Sequence, residues 1–211
     1  ADATLEPAGT SHFVVVDARG NAVSMTTTVE SLFGNGRMVG GFFLNNQLTD
    51  FSFTPTQGDG TPAANAVAGG KRPRSSMSPV VVLDQSDRLV AVLGSPGGSA
   101  ILAYNLKTLV GMIDWNLSMQ DAINLPNLVA RGQTFGGETS RFDPDTVTAL
   151  GHLGVSLTPG RGENSGLHGI RIRADGSLEG GADPRREGVV LTGQRQSSLG
   201  GRKPTPARRK Q

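Results

Sequence analysis

Short apolar blocks separated by turn residues run through the chain, and this grammar predicts strands before helices. Residues 12–17 (HFVVVD) and 22–28 (AVSMTTT) flank Ala18-Arg19-Gly20-Asn21 and predict a β-hairpin. Residues 79–84 (PVVVLD) and 89–94 (LVAVLG) flank Gln85-Ser86-Asp87-Arg88, and 168–173 meets 177–180 across Ala174-Asp175-Gly176. Three hairpins imply antiparallel sheet. The runs VVV and PVVV are apolar without alternation, which predicts central strands covered on both faces. Between the strands, Leu102, Leu106, Leu109, Val110 and Ile113 share one face of a helix starting near Ser99, expected to pack on the sheet. A second helix is predicted from Ser118, with Asp121 as its capping-box acid. A third starts at Asp143-Pro144, a cap followed by a proline at the first helical position, and stops near Gly154. Residues 52–70 have no periodicity and read as a long loop, a length usually tied to function or mobility.

Composition adjusts this picture modestly. The 211 residues, 36% of them hydrophobic, suffice for one domain with a core. Thirty glycines and 5% aromatics favour hairpins and close backbone approaches over a helical bundle. The formal charge of +2 conceals an uneven distribution: beyond Glu187 there is no acid, while Arg195, Arg202, Lys203, Arg208, Arg209 and Lys210 follow. The body is therefore mildly acidic, and residues 193–211 form a basic tail expected to be disordered. No basic stripe interleaved with aromatics supports nucleic-acid binding. There is no cysteine, hence no disulfide, thiolate nucleophile or zinc-thiolate site. No apolar run reaches the roughly 18 residues of a membrane span, and the first nine residues lack the regions of a signal peptide.

Four segments carry candidate chemistry. The glycine-rich turn GSPGGS (94–99) leads from a strand into the first helix, so its N–H groups can meet an anion or a developing oxyanion; a plain tight turn fits equally. It lacks a Walker lysine, and its glycine spacing is not that of a dinucleotide loop. In KRPRSSMSP (71–79), Ser75 and Ser76 can donate hydroxyls to a carboxylate or simply open a strand. In LNNQLTDFS (44–52), Gln47 and Asp50 can accept from an ammonium or form a capped turn. Gly9-Thr10 precedes the first strand; cleavage between them would give Thr10 both a hydroxyl and an α-amine with an ordinary pKa of about 7.7–8.0, joining nucleophile and base in one residue. His12, His152 and His168 lack metal-site spacing and suit structural roles. No metal or cofactor is expected.

Taken in order, TSHFVVVD, GNAVSMTTT, FLNNQLTDFS, KRPRSSMSP and GSPGGS resemble the small subunit of γ-glutamyltransferases over residues 10–192. The resemblance implies an α+β chain: the small-subunit half of a four-layer αββα N-terminal-nucleophile hydrolase sandwich. Autocatalytic cleavage of a precursor would then fall between Gly9 and Thr10, leaving residues 1–9 as the end of the large subunit, the expected partner. An uncut chain would be inactive. Thr10 would be the nucleophile, Thr28 the threonine that bonds to it, and Gly97 and Gly98 the oxyanion hole. Ser75 and Ser76 would bind the glutamyl α-carboxylate, together with an arginine from the large subunit. Gln47, Asp50 and Glu30, where many members have Asn and others Glu, would receive the α-ammonium.

The expected substrates are glutathione-like γ-glutamyl compounds, with water, an amino acid or a peptide as acceptor. Family members are commonly periplasmic, secreted or anchored outside, so a periplasmic or secreted location is expected. A cephalosporin or glutaryl acylase is the alternative within this fold, and a non-enzymatic anion-binding domain the alternative outside it. A shorter stretch between Gly36 and Asn45 would alter the loop covering the pocket.

Overall fold

A computed structural model describes residues 9–160 and 164–193. Of the expected pre-cleavage segment 1–9 and basic tail 193–211, all but Gly9 and Gly193 lie outside the described residues. β1 (Thr10–Val16) and β2 (Ala22–Thr28) form the first hairpin, pairing Thr10 with Thr28 and Val16 with Ala22. Asp17 closes its turn by accepting from the N–H groups of Arg19 and Asn21. A small hairpin of β3 (Met38–Val39) and β4 (Phe42–Phe43) follows, which the sequence pattern did not predict.

The larger sheet has the order β11-β10-β6-β5, all antiparallel, from β5 (Val80–Leu83), β6 (Leu89–Gly94), β10 (His168–Ile172) and β11 (Leu178–Ala182). Of the two runs expected to be covered on both faces, the one in β1 is not, with Val15 51% exposed; the fully covered strand is β6, where Ala91, Val92 and Leu93 are buried. The expectation fails also for β5, an edge strand with Val81 54% and Leu83 51% exposed. Continuous apolar character there reflects β-propensity and not two covered faces.

One face of this sheet carries α1 (Ile101–Ile113) and α2 (Met119–Asn124). The other carries the first hairpin, with β1 against β10 and β2 against β6. The result is a helix–sheet–sheet stack. α1 is rotated from the face expected from its leucines: Leu109 packs half-buried on the core, but the rest of the core face is different. Ile101, Tyr104, Asn105, Thr108 and Met112 face the core, whereas Leu102, Leu106 and Ile113 are 60%, 62% and 58% exposed. Asn105 and Thr108 can be buried because Asn105 Nδ2 donates to Ser78 O (2.8 Å) and Thr108 Oγ1 to Tyr104 O (3.0 Å).

α2 begins as its caps predict: Ser118 accepts from the Asp121 N–H and donates to the Asp121 carboxylate at 2.6 Å. Its C-terminal carbonyls, Ile123 O and Leu125 O, receive bonds from both Lys107 and Arg185. α3 (Pro144–His152) is likewise capped by Asp143, but none of its residues is buried. It leads to β9 (Leu157–Pro159), which joins β7 (Leu128–Arg131) and β8 (Thr134–Gly137) in a fourth sheet that the pattern also left unpredicted.

On the outer face of the first hairpin, cross-strand pairs Phe13–Met25 and Val15–Val23 stay 42–51% exposed. Its inner face turns Thr10, His12, Ser24, Thr26 and Thr28 toward the larger sheet. Among the described residues no helix is long and apolar enough to cross a membrane.

Candidate active site

Thr10 opens β1, only 9% exposed, directly across from Thr28 at the end of β2. The Thr28 hydroxyl accepts from the Glu30 N–H at 2.8 Å, which leaves its own proton available for a neighbouring oxygen. Glu30 is 7% exposed and has φ 74°, left-handed for a residue with a side chain. That conformation costs about 1–2 kcal/mol and is characteristic of functional positions. It is held from both sides, because Asn46 Oδ1 accepts from the Ser31 N–H (3.0 Å) and the Asn46 N–H donates to Val29 O (3.2 Å).

Gln47 and Asp50 lie on a single 3-10 turn, Gln47–Asp50. The Gln47 amide, expected to accept through its oxygen, also acts as a donor. Its Nε2 donates to Glu30 Oε2 (3.1 Å) and to Asp50 Oδ2 (2.9 Å), bridging the two carboxylates. A single nitrogen donor is thus already held between two carboxylates, the environment an α-ammonium requires.

Ser75 and Ser76 sit on an extended segment that reaches the same small polar cavity as Thr10, Thr28, Asp50 and Gly98. Asn65, from the long loop, fastens this segment in place: its Nδ2 donates to Asp50 O (2.6 Å) and its Oδ1 accepts from the Arg74 N–H (3.0 Å). Part of the predicted long loop therefore braces the site.

The GSPGGS turn leaves β6 and enters a 3-10 turn, Gly98–Ala100, that runs into α1. Gly97 (φ 135°) and Gly98 (φ 52°) adopt values that side chains disfavour. Ser95 Oγ steadies the turn by accepting from the Gly166 N–H (3.1 Å) and donating to Pro96 O (2.6 Å).

Behind Gly166, Asp183 accepts from Ser165 Oγ (2.5 Å) and the Leu167 N–H (3.1 Å) and pairs with Arg185 (3.0 Å). Burial opposes its charge, yet these bonds hold its carboxyl below the ordinary value. Arg185 also grips Glu138 (2.6 Å), so one ion network supports the 165–167 segment that braces the turn.

His12 is buried beneath Gly94, where an added Cβ would lie 2.3 Å from the imidazole. Its Nδ1 is 2.9 Å from Thr26 Oγ1. Burial, and secondarily His168, pull its pKa down to about 4, so it is neutral near pH 7. The expected sites therefore converge: Thr10, Thr28, Glu30, Gln47, Asp50, Ser75, Ser76 and Gly98 line one cavity, with Gly97 the next residue in the turn. Gly9 precedes Thr10 in a continuous chain.

Sequence reasoning passed over Arg74, which lines the cavity inside the very motif it singled out. It also passed over Arg186, whose guanidinium donates to Thr10 O (3.2 Å) with no local motif to announce it. Among the described residues no group of three or more His, Cys, Asp or Glu is placed to hold a metal ion.

A hairpin headed by a threonine, packed on a second sheet with helices beyond it, matches the fold of solved γ-glutamyltranspeptidases, which are N-terminal-nucleophile hydrolases. The family model for Gamma-glutamyltranspeptidase matches residues 1–193, and the chain belongs to that family. It is 39% identical over 191 residues to the glutathione hydrolase proenzyme of Escherichia coli K12, covering 83% of this chain and 31% of that relative. It is 33% identical to the acylase ACY 1 proenzyme of Pseudomonas sp. SE83, covering 88% and 32%. The solved γ-glutamyltranspeptidase of Pseudomonas nitroreducens in complex with L-DON superposes with a TM-score of 0.73 at 32% identity, covering 87% of this chain and 99% of that one. The chain spans about a third of the length of the curated relatives it matches.

Proposed function

We propose that this chain is the nucleophile-bearing part of an enzyme that transfers or hydrolyses γ-glutamyl groups, activated by cleavage of the Gly9–Thr10 bond. The observation that carries the reading is the single cavity joining a strand-leading threonine, a two-carboxylate ammonium site, a serine pair and a glycine turn. In the cut enzyme, Thr10 Oγ attacks the γ-carbonyl carbon while its proton passes to the Thr10 α-amine. The oxyanion is received by the Gly97 and Gly98 N–H groups, where one donor contributes about 2.7–4 kcal/mol. Collapse expels the leaving amine, which takes the proton from the α-ammonium and leaves a glutamyl ester on Thr10. Water or an acceptor amine then attacks the ester, with the α-amine again as base, and restores the hydroxyl.

Glu30 and Asp50 receive the glutamyl ammonium once it displaces the Gln47 amide, and Ser75 and Ser76 donate to the carboxylate. The acylase relative makes a second reading concrete, but two carboxylates around one nitrogen donor favour a substrate bearing an ammonium. The partner is the preceding part of the same precursor, which would cover the outer face of the first hairpin. A periplasmic or secreted location accords with the expected family pattern. Intact mass spectrometry of the full precursor over time tests the reading. Two fragments split before Thr10, with a γ-glutamyl adduct on the smaller, are expected; an uncut precursor that still turns over substrate would refute it.

A further inference from the structure

The carboxylate pair that suits a substrate ammonium creates a difficulty for catalysis. Glu30 and Asp50 line the same cavity as Thr10, and their charges would equally stabilise a protonated α-amine on Thr10 itself. A charged amine cannot act as a base. Something must oppose the carboxylates.

Arg186 is placed to do so. One guanidinium nitrogen donates to Thr10 O (3.2 Å) and another to Asn164 O (2.8 Å). Its stem lies on Gly166, where an added Cβ would meet Arg186 Cδ at 2.6 Å and Pro96 Cγ at 2.8 Å. The positive charge is thereby fixed between the nucleophile and the glycine turn. The carbonyl and amine of one residue share a Cα, so the guanidinium lies within about 6–7 Å of the amine by backbone geometry.

We infer that Arg186 tunes the general base: bonded to the main-chain carbonyl of Thr10, it keeps the α-amine released by cleavage in its uncharged, proton-accepting form. The inference rests on the reading of Thr10 as an N-terminal nucleophile. Arg186 acts through Thr10 and is a positioning and tuning residue. Among the described residues, the other charged groups lining the cavity with Thr10 are the carboxylates of Glu30 and Asp50, which favour the ammonium, and Arg74, which opposes it, while Asp183, three residues before Arg186, is paired with Arg185. His12 is neutral near pH 7, and Glu187, next to Arg186 in the chain, is exposed.

The test uses the full precursor as wild type, Arg186→Gln and Arg186→Lys, with cleavage before Thr10 and acyl labelling of Thr10 confirmed first by intact mass. The acid limb of kcat/KM against pH is expected to move up by about one unit in Arg186→Gln, as loss of a half-exposed nearby charge predicts, and to stay near wild type in Arg186→Lys. An unmoved limb in a processed Arg186→Gln overturns the inference. Competitive labelling of the Thr10 α-amine by an acylating reagent across pH reads the same quantity directly. In the wild type it should give an amine pKa below the ordinary 7.7–8.0, and a value within or above that range overturns the inference even if Arg186→Gln fails to process. Absence of cleavage or acyl label in the wild type would instead refute the nucleophile assignment.

Discussion

A carbon added to Gly9 in the Cβ direction would lie 2.1 Å from the carbonyl oxygen of Glu30, so the residue ahead of Thr10 rests on the main chain of a cavity carboxylate. No side chain fits there without moving Glu30, which already holds a strained conformation. Gly9→Ala is therefore expected to slow precursor cleavage at least about tenfold, a cost of roughly 1.4 kcal/mol or more at the barrier. Gel or mass analysis of the time course checks this, and cleavage at the wild-type rate would contradict it.

Asp50→Asn should weaken binding of γ-glutamyl anilides with a smaller effect on kcat. A hydrogen bond to a charged group contributes about 1.5–3 kcal/mol, so KM should rise on the order of 10- to 100-fold. An acyl donor lacking the α-amino group should be insensitive to the change. Equal losses for both donors would remove Asp50 from ammonium recognition.

Thr28→Val removes a hydroxyl that accepts from the Glu30 N–H and keeps its own proton to donate, on the residue directly across the hairpin from Thr10. The expected loss is in kcat, about 10²–10³-fold if the donor is lost from the transition state. Thr28→Ser should recover most of it. A Thr28→Val enzyme with normal kcat would show that the hydroxyl serves only the turn.

His12 gives a defined pH dependence of stability. Its folded pKa, about 4, lies below the unfolded 6.5, so between these values the unfolded chain binds a proton that the folded chain refuses. The contribution is complete above pH 6.5 and is lost as pH falls toward 4, by about 3 kcal/mol at most. Denaturant unfolding at pH 7.5, 5.5 and 4.5 should show this decline, and His12→Gln should flatten it across that window. Carboxylates such as Asp183, held below their ordinary values, act at still lower pH.

The rotation of α1 separates two leucine-like positions. Met112, 1% exposed, should cost about 2–5 kcal/mol on replacement by alanine. Leu106→Ser should change stability by no more than about 0.5 kcal/mol. Comparable losses at both would mean that another layer lies over Leu106.

That rotation also shows where the sequence was readable and where it was not. Caps at Ser118 and Asp143, and the turn at Asp17, act within a few residues of themselves, so local spacing was enough to locate them. α1 was misjudged because Asn105 and Thr108 look like surface residues until their partners, Ser78 O and Tyr104 O, are known. Periodicity then assigned the core to the leucines. In the site, Ser75, Ser76, Gly97 and Gly98 stood out through compact motifs. Arg186 did not, because its contact with Thr10 spans 176 positions and depends on the meeting of two sheets. The donor role of the Gln47 amide depended on the fold that brings Glu30 alongside it.

The first hairpin leaves Phe13, Val15, Val23 and Met25 as a contiguous greasy surface, and β2 is the only strand that β1 pairs with among the described residues. Unsheltered apolar side chains next to an open strand edge are what drives chains to clump. Prepared without a layer over that surface, this polypeptide is expected to go into inclusion bodies or soluble aggregates.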